Sequence, residues 1–267
     1  MENTILIYSA IFLYLTCAAL LFFNKKKSSD GGLSKKQILL IGFAALILHS
    51  VALTNNLVTD TGINLAFYNS LSLISAFIVL FTLISTWRHP IEILLISLLP
   101  IASITLQLDI YNSTTQVHEI GDSKGLIFHI LTSIIAYSVL ALAALQAVLL
   151  WIQNKFLHAH QPGGIIKLMP PLRNMEALLF ESIVVGFVTL TVSLGSGLIF
   201  LENMFAQQLA HKTILSILAW FVFLILLIGH WKLGWRGKVA IRWTLGGFIS
   251  LMLAYFGSKF VLEIVLA

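Results

Sequence analysis

Eight runs of mostly apolar residues, each close to the length that crosses a bilayer, occupy most of this 267-residue chain. They lie at 3–23, 37–54, 64–86, 91–108, 126–151, 179–200, 213–231 and 239–264. A helical span needs about 20 such residues. The runs are too long and too evenly apolar for the alternating strands of a membrane barrel. They predict an all-α, polytopic integral membrane protein of about eight transmembrane helices, with residues 1–267 forming a single transmembrane domain. Composition agrees: 58% of residues are hydrophobic and 10% charged, against roughly 25% charged in soluble proteins. A disulfide scaffold is excluded by the single cysteine, Cys17, which reads as a small packed or lipid-facing residue.

Charge orients the spans. Lys25, Lys26, Lys27, Lys35, Lys36, Arg88, Lys155, Lys167, Arg173, Lys232, Arg236 and Lys238 fall in the loops after spans one, three, five and seven, and Arg242 lies just inside span eight. The other side keeps only Lys124, Lys212 and Lys259. The positive-inside rule makes the first set cytoplasmic and places both termini on the outer, periplasmic side. The first run has Glu2 rather than basic residues before it and no small-residue cleavage site, which predicts a retained span. The net charge of +5 is positive-inside signal plus attraction to anionic lipid. It calls for the bilayer as partner and no nucleic acid. The loop 152–178 carries Gly163-Gly164 and Met169-Pro170-Pro171, a break followed by a rigid turn.

Enzymatic signatures are missing. The chain has no phosphate-cradling glycine motif, no HExxH, no CxxC and no CxxCH. Glu92, Asp109, Glu181, Glu202 and Glu263 lie near predicted span ends, which leaves the middles of the spans without carboxylates and weakens a pump reading. The expectation is therefore a protein that is not an enzyme.

Histidine is what remains. Of the eight histidines, His49, His129 and His230 fall within predicted spans, the first two toward the outer end and the third at the inner end. An intramembrane imidazole is costly unless hydrogen-bonded or ligated. It is also a common metal ligand and a usual axial ligand of haem iron. Two readings stand side by side for each: an interhelical hydrogen bond or ligation. His118 and His211 lie in separate outward loops. His89 reads as a turn residue, and His158 and His160 as a solvated loop pair. Tyr8, Trp87, Trp151, Trp231, Trp235 and Trp243 fall near predicted interfaces, where an aromatic belt is expected.

Several stretches together carry a resemblance. His211–Trp220, Gly229-His230, Gly234-Trp235-Arg236-Gly237, Leu253-Ala254-Tyr255-Phe256-Gly257, His129–Tyr137 and Asn64–Leu71 resemble the cytochrome c assembly family of haem-handling membrane proteins, the CcsA/CcmC type. Within it they resemble the short HemX/YpjD-like inner-membrane branch. The resemblance implies a bacterial inner-membrane, multi-pass protein that binds haem non-covalently, as b-type haem, and assists haem handling or cytochrome maturation. It implies His129 and His230 as axial ligands of haem iron; His49, which has no clear counterpart in the family, His118 and His211 are candidates for a second outer ligand by their own position in the chain. A cytochrome or another membrane protein is the implied partner. The family's loop is tryptophan-rich and ends in aspartate; the corresponding stretch here, Asn203–Lys212, has neither. The departure weighs against delivery to apocytochrome more than against haem binding, and adds haem binding for regulation, or stabilisation of another membrane protein, as a reading. The rival reading is a small-solute or ion transporter, or an accessory membrane subunit without haem, with Asn55, Asn56, Asn69, Gln107 and Gln146 lining a path.

Overall fold

The computed structural model describes residues 2–26, 33–59, 62–111, 117–118, 124–158, 169–200, 210–257 and 260. Among these, eight helices are long and apolar enough to cross a membrane. They are α1 (Glu2–Lys26), α2 (Lys35–Leu57), α3 (Phe67–Arg88), α4 (Glu92–Tyr111), α5 (Lys124–His158), α6 (Leu172–Phe200), α7 (Ala210–Leu233) and α8 (Gly237–Met252), the last continuing as a π-helical turn, Leu253–Gly257. The chain is thus an all-α, eight-span polytopic membrane protein.

Two helices run about two turns past the predicted spans. At 35 residues, α5 is about 50 Å long at ~1.5 Å per residue, well beyond a hydrocarbon core of about 30 Å. Its last turns carry Gln153, Asn154, Lys155 and His158. These lower the local hydropathy without breaking the helix. Likewise α6 begins at Leu172 rather than 179, directly after Pro170-Pro171, and the amides of Asn174 and Met175 turn back to the Pro171 carbonyl. Most of the predicted 152–178 loop that is described here is therefore helical. Glu181 sits nine residues inside α6 rather than at its end, and its side chain is exposed. The stretch 159–168, with His160 and Gly163-Gly164, the stretch 201–209, and the end of the eighth run lie outside the described residues.

The chain folds as two compact units, Met1–Glu119 with Gly163–Pro170, and Ile120–Pro162 with Pro171–Ala267. In the first unit each helix packs on its sequence neighbours and α1 closes on α4. The buried residues of α1 recur at alternating steps of three and four, Ile7, Ala10, Tyr14, Cys17 and Leu21, and those of α2 do the same through Ile38, Gly42, Ala45, His49 and Ala52. Such seams let antiparallel helices interlock. Gly42 allows the closest approach, since a Cβ there would lie 2.9 Å from Leu83 Cδ2 and 3.3 Å from Cys17 Sγ. Cys17 is fully buried and its thiol points to the Ile38 carbonyl at 3.4 Å, a packed residue.

One end of this unit is closed by a Ser34/Gln37 capping box on α2 and by Lys35, which pairs with Glu92 at 2.8 Å and donates to the His89 carbonyl. The other end holds a chain of amides. Asn55 donates to Asn3, Asn3 to Asn56, and Asn56 to the Asp109 carboxylate at 3.1 Å, tying α1, α2 and α4 together. Asn69 donates to the backbone carbonyls of Asn56 and Asn64. Three short strands add to the all-helical expectation there: β1 (Val58–Thr59), β2 (Gly62–Asn64) and β3 (Val117–His118), antiparallel in that order. Runs of two or three residues carry no periodicity that a sequence could reveal.

The second unit repeats the closed arrangement: α5 packs on α6, α6 on α7, α7 on α8, and α8 on α5. The α5–α6 seam is tight at Gly186, where a Cβ would lie 2.5 Å from Leu140. At the far end of α8, Tyr137 of α5 meets Phe248, Tyr255 and Phe256 with ring centroids 5.4–5.9 Å apart.

Candidate functional site

His129 lies in the second turn of α5, half-buried against the last turns of α6. Its Nδ1 is 3.0 Å from the Ser193 carbonyl oxygen and 3.2 Å from Ser196 Oγ. The Ser196 hydroxyl itself donates to the Ser193 carbonyl at 2.8 Å, so both atoms facing Nδ1 are acceptors. Nδ1 must then carry the proton, and Nε2 keeps its lone pair. The two helices are also tied one turn further along: Ser133 donates to the His129 backbone carbonyl at 2.7 Å and shares a 2.7 Å hydrogen bond with Ser193 of α6. One turn before His129, Gly125 has no Cβ, and the Phe200 ring packs into the space.

His230 is built differently and ends the same way. The helix α7 stops at Gly234, whose φ of +69° lets its amide return to the His230 carbonyl at 3.2 Å, the left-handed cap that glycine adopts without steric cost. Trp235 then folds back. Its amide donates to the Gly229 carbonyl, and its ring fills the space a side chain at Gly229 would need. Its own carbonyl accepts from His230 Nδ1 at 2.9 Å. Again Nδ1 is the donating nitrogen, and Nε2 points away from that bond. Phe180 of α6 stacks on the imidazole at 3.5 Å between centroids and 17° between planes. It covers a ring face and leaves the in-plane lone pair open.

Both histidines lean on α6, at Ser193 and at Phe180. Those two positions are about 20 Å apart at ~1.5 Å per residue. One iron cannot reach both rings. Among the described residues, no group of three or more His, Cys, Asp or Glu side chains converges to hold a metal ion, so each histidine offers a single donor.

His49 has no such freedom. It is fully buried in the first unit, with Nδ1 3.1 Å from the Tyr14 hydroxyl and Nε2 3.0 Å from Ser72 Oγ. Whatever its tautomer, both nitrogens are used.

The sequence profile described as Cytochrome C assembly protein matches residues 37–266. The chain belongs to the cytochrome c assembly protein family. The chain is similar to inner membrane protein YpjD of Escherichia coli (strain K12), 35% identical over 228 residues that cover 83% of this chain and 84% of that protein. It is also similar to cytochrome c biogenesis protein CcsA of Chlamydomonas reinhardtii, 27% identical over 143 residues that cover 53% of this chain and 39% of that protein. No solved structure matches.

Within this cytochrome c assembly chain the remaining histidines stand apart. His118 pairs through its backbone with Ile63 in the small sheet. His211 is exposed in the first turn of α7. His89 is an exposed residue capping α3, and His158 is exposed with Nδ1 on the Asn154 carbonyl. Trp235, expected in an interfacial belt, forms part of the His230 pocket with Trp243 beside it at 5.5 Å. Ser193, Ser196, Phe180 and Glu176 carried no sequence signal as site residues. Serines three apart in a span resemble ordinary helix glue, and Glu176 falls in what hydropathy reads as a loop.

Proposed function

We propose that this chain is a haem-binding member of the cytochrome c assembly family in which the single imidazoles of His129 and His230, in its second unit, would hold haem. The chain is a multi-pass protein of the bacterial inner membrane, in line with its eight spans and its similarity to an Escherichia coli inner membrane protein. The observation that carries the proposal is shared by His129 and His230. In each, a backbone carbonyl takes the Nδ1 proton and fixes the ring, leaving Nε2 as the donor. Ligand histidines are oriented in this way by their outer partners.

The donor set fits haem better than a free metal ion, because among the described residues no three His, Cys, Asp or Glu side chains converge at either imidazole. When bound, haem would supply an iron that accepts an imidazole nitrogen, from His129 or His230, and propionates that carry negative charge. Around it this chain's residues bind, orient and exclude water. Ser193 and Ser196 set the His129 ring. Trp235 and Phe180 set the His230 ring. Arg236, exposed beside the same turn, offers its terminal guanidinium nitrogens to a carboxylate. By the positive-inside pattern His129 is the outer ligand and His230 the inner one. His49 serves as a structural lock between α1, α2 and α3, and the role is haem handling or support of a haem protein without bond chemistry of its own.

The test is a pyridine haemochrome and Soret measurement on detergent-purified protein supplied with haem, alongside His129→Ala and His230→Ala. Each substitution is expected to remove part of the Soret absorbance. A wild-type chain that takes up no haem would overturn the reading and favour a transport or accessory role.

A further inference from the structure

We propose that Glu176 is a positioning residue for His230, acting through the turn between α7 and α8; this rests on the haem-ligand reading of His230. Glu176 lies one turn before Phe180 on α6 and is 9% exposed. One carboxylate oxygen accepts from Arg236 Nε at 3.2 Å, and the other accepts from the Gly237 amide at 3.0 Å. A buried carboxylate held by a cation and an amide is a specific, directional contact.

Its position explains what it holds. The residue at the N-cap of α8 is Arg236, and its side chain caps nothing. The first amides of a helix need acceptors, and the helix end favours negative charge. Glu176 supplies both from a different helix. Gly237 has φ +54°, so the backbone there turns sharply. Between this anchored point and Gly234 lies Trp235, whose carbonyl fixes His230 Nδ1. One stretch of α6 thus bears on the imidazole in two ways, directly and through the turn. Phe180 stacks on its face, and Glu176 holds the loop whose carbonyl sets its rotation. Without Glu176 the turn has no described side-chain anchor on α6. The Trp235 carbonyl then keeps only the anchors on its N-terminal side, the amide bond to Gly229 and the ring packed over it, and the bias toward the Nδ1–H tautomer weakens.

The experiment uses the full-length chain in detergent on a His129→Ala background, so that only the His230 end is read. Glu176→Ala and Glu176→Gln are compared with the parent. Histidine 15N resonances, with His230 assigned by its own substitution, read the tautomer without haem. Haem titration reads affinity. The parent is expected to show His230 as the Nδ1–H tautomer. Glu176→Ala is expected to show a mixture and to bind haem about tenfold or more weakly, the usual scale for loss of an outer partner. Glu176→Gln keeps an acceptor for Gly237 and is expected to lie between, which decides the matter if the alanine variant fails to fold. An unchanged tautomer in both variants overturns the inference. If the parent takes up no haem, the ligand reading fails, while the 15N spectra still decide whether Glu176 sets the ring.

Discussion

The Nδ1 atom of His129 lies 3.0 Å from the carbonyl oxygen of Ser193, a residue 64 positions further along the chain. That contact joins the start of α5 to the end of α6. Because Ser196 Oγ already donates to the same carbonyl, it also fixes which imidazole nitrogen is free. His230 reaches the same state through Trp235, a neighbour only five positions away. Two unrelated local geometries thus leave the same chemical group available at two ends of one helix.

His49 separates lock from ligand. Replacing it with Phe removes two buried hydrogen bonds and leaves Tyr14 and Ser72 unpaired. The expected cost is about 1–3 kcal/mol, read as a lower unfolding temperature in detergent. Haem content per folded chain should not change. A loss of haem at unchanged stability would make His49 a ligand.

Gly125 and Gly229 are each filled by a neighbouring ring, Phe200 and Trp235 respectively. Alanine at either position forces that ring to move, at about 1–3 kcal/mol for an overpacked site. Gly229→Ala should weaken haem binding that depends on His230 and spare the His129 end; Gly125→Ala should do the reverse. Haem titration of each variant in the two histidine-deleted backgrounds separates the effects. A substitution that weakened both ends equally would mean that the two are not independent.

Much of this was legible from the sequence. Eight spans follow from apolar runs alone, and His129 and His230 stand out because imidazole is rare and costly in a bilayer. The partners were not legible. Ser193 and Ser196 become informative only when α6 is laid against α5. Glu176 is hidden because α6 continues past the bilayer length, where Arg173, Asn174 and Glu176 lower the hydropathy but leave the helix intact. Among the candidates, only the contacts of His49 distinguish a ring with both nitrogens committed from one with a free base.

The sidedness expectation has its own check. Cys17 is fully buried and should resist a membrane-impermeant maleimide in intact cells and in inverted vesicles. With Cys17 replaced by Ser, a cysteine at His211 should label only from the outer side and one at Arg173 only from the cytoplasmic side. The reverse pattern would invert the positive-inside assignment.

The most direct test of two independent single-imidazole sites is chemical rescue. His129→Gly, His230→Gly and the double variant are titrated with haem, with and without free imidazole. Each single variant is expected to lose its own share of the Soret absorbance and regain it when imidazole is added, with the two losses summing in the double variant. Loss of all absorbance from one substitution, or none from either, would contradict the account.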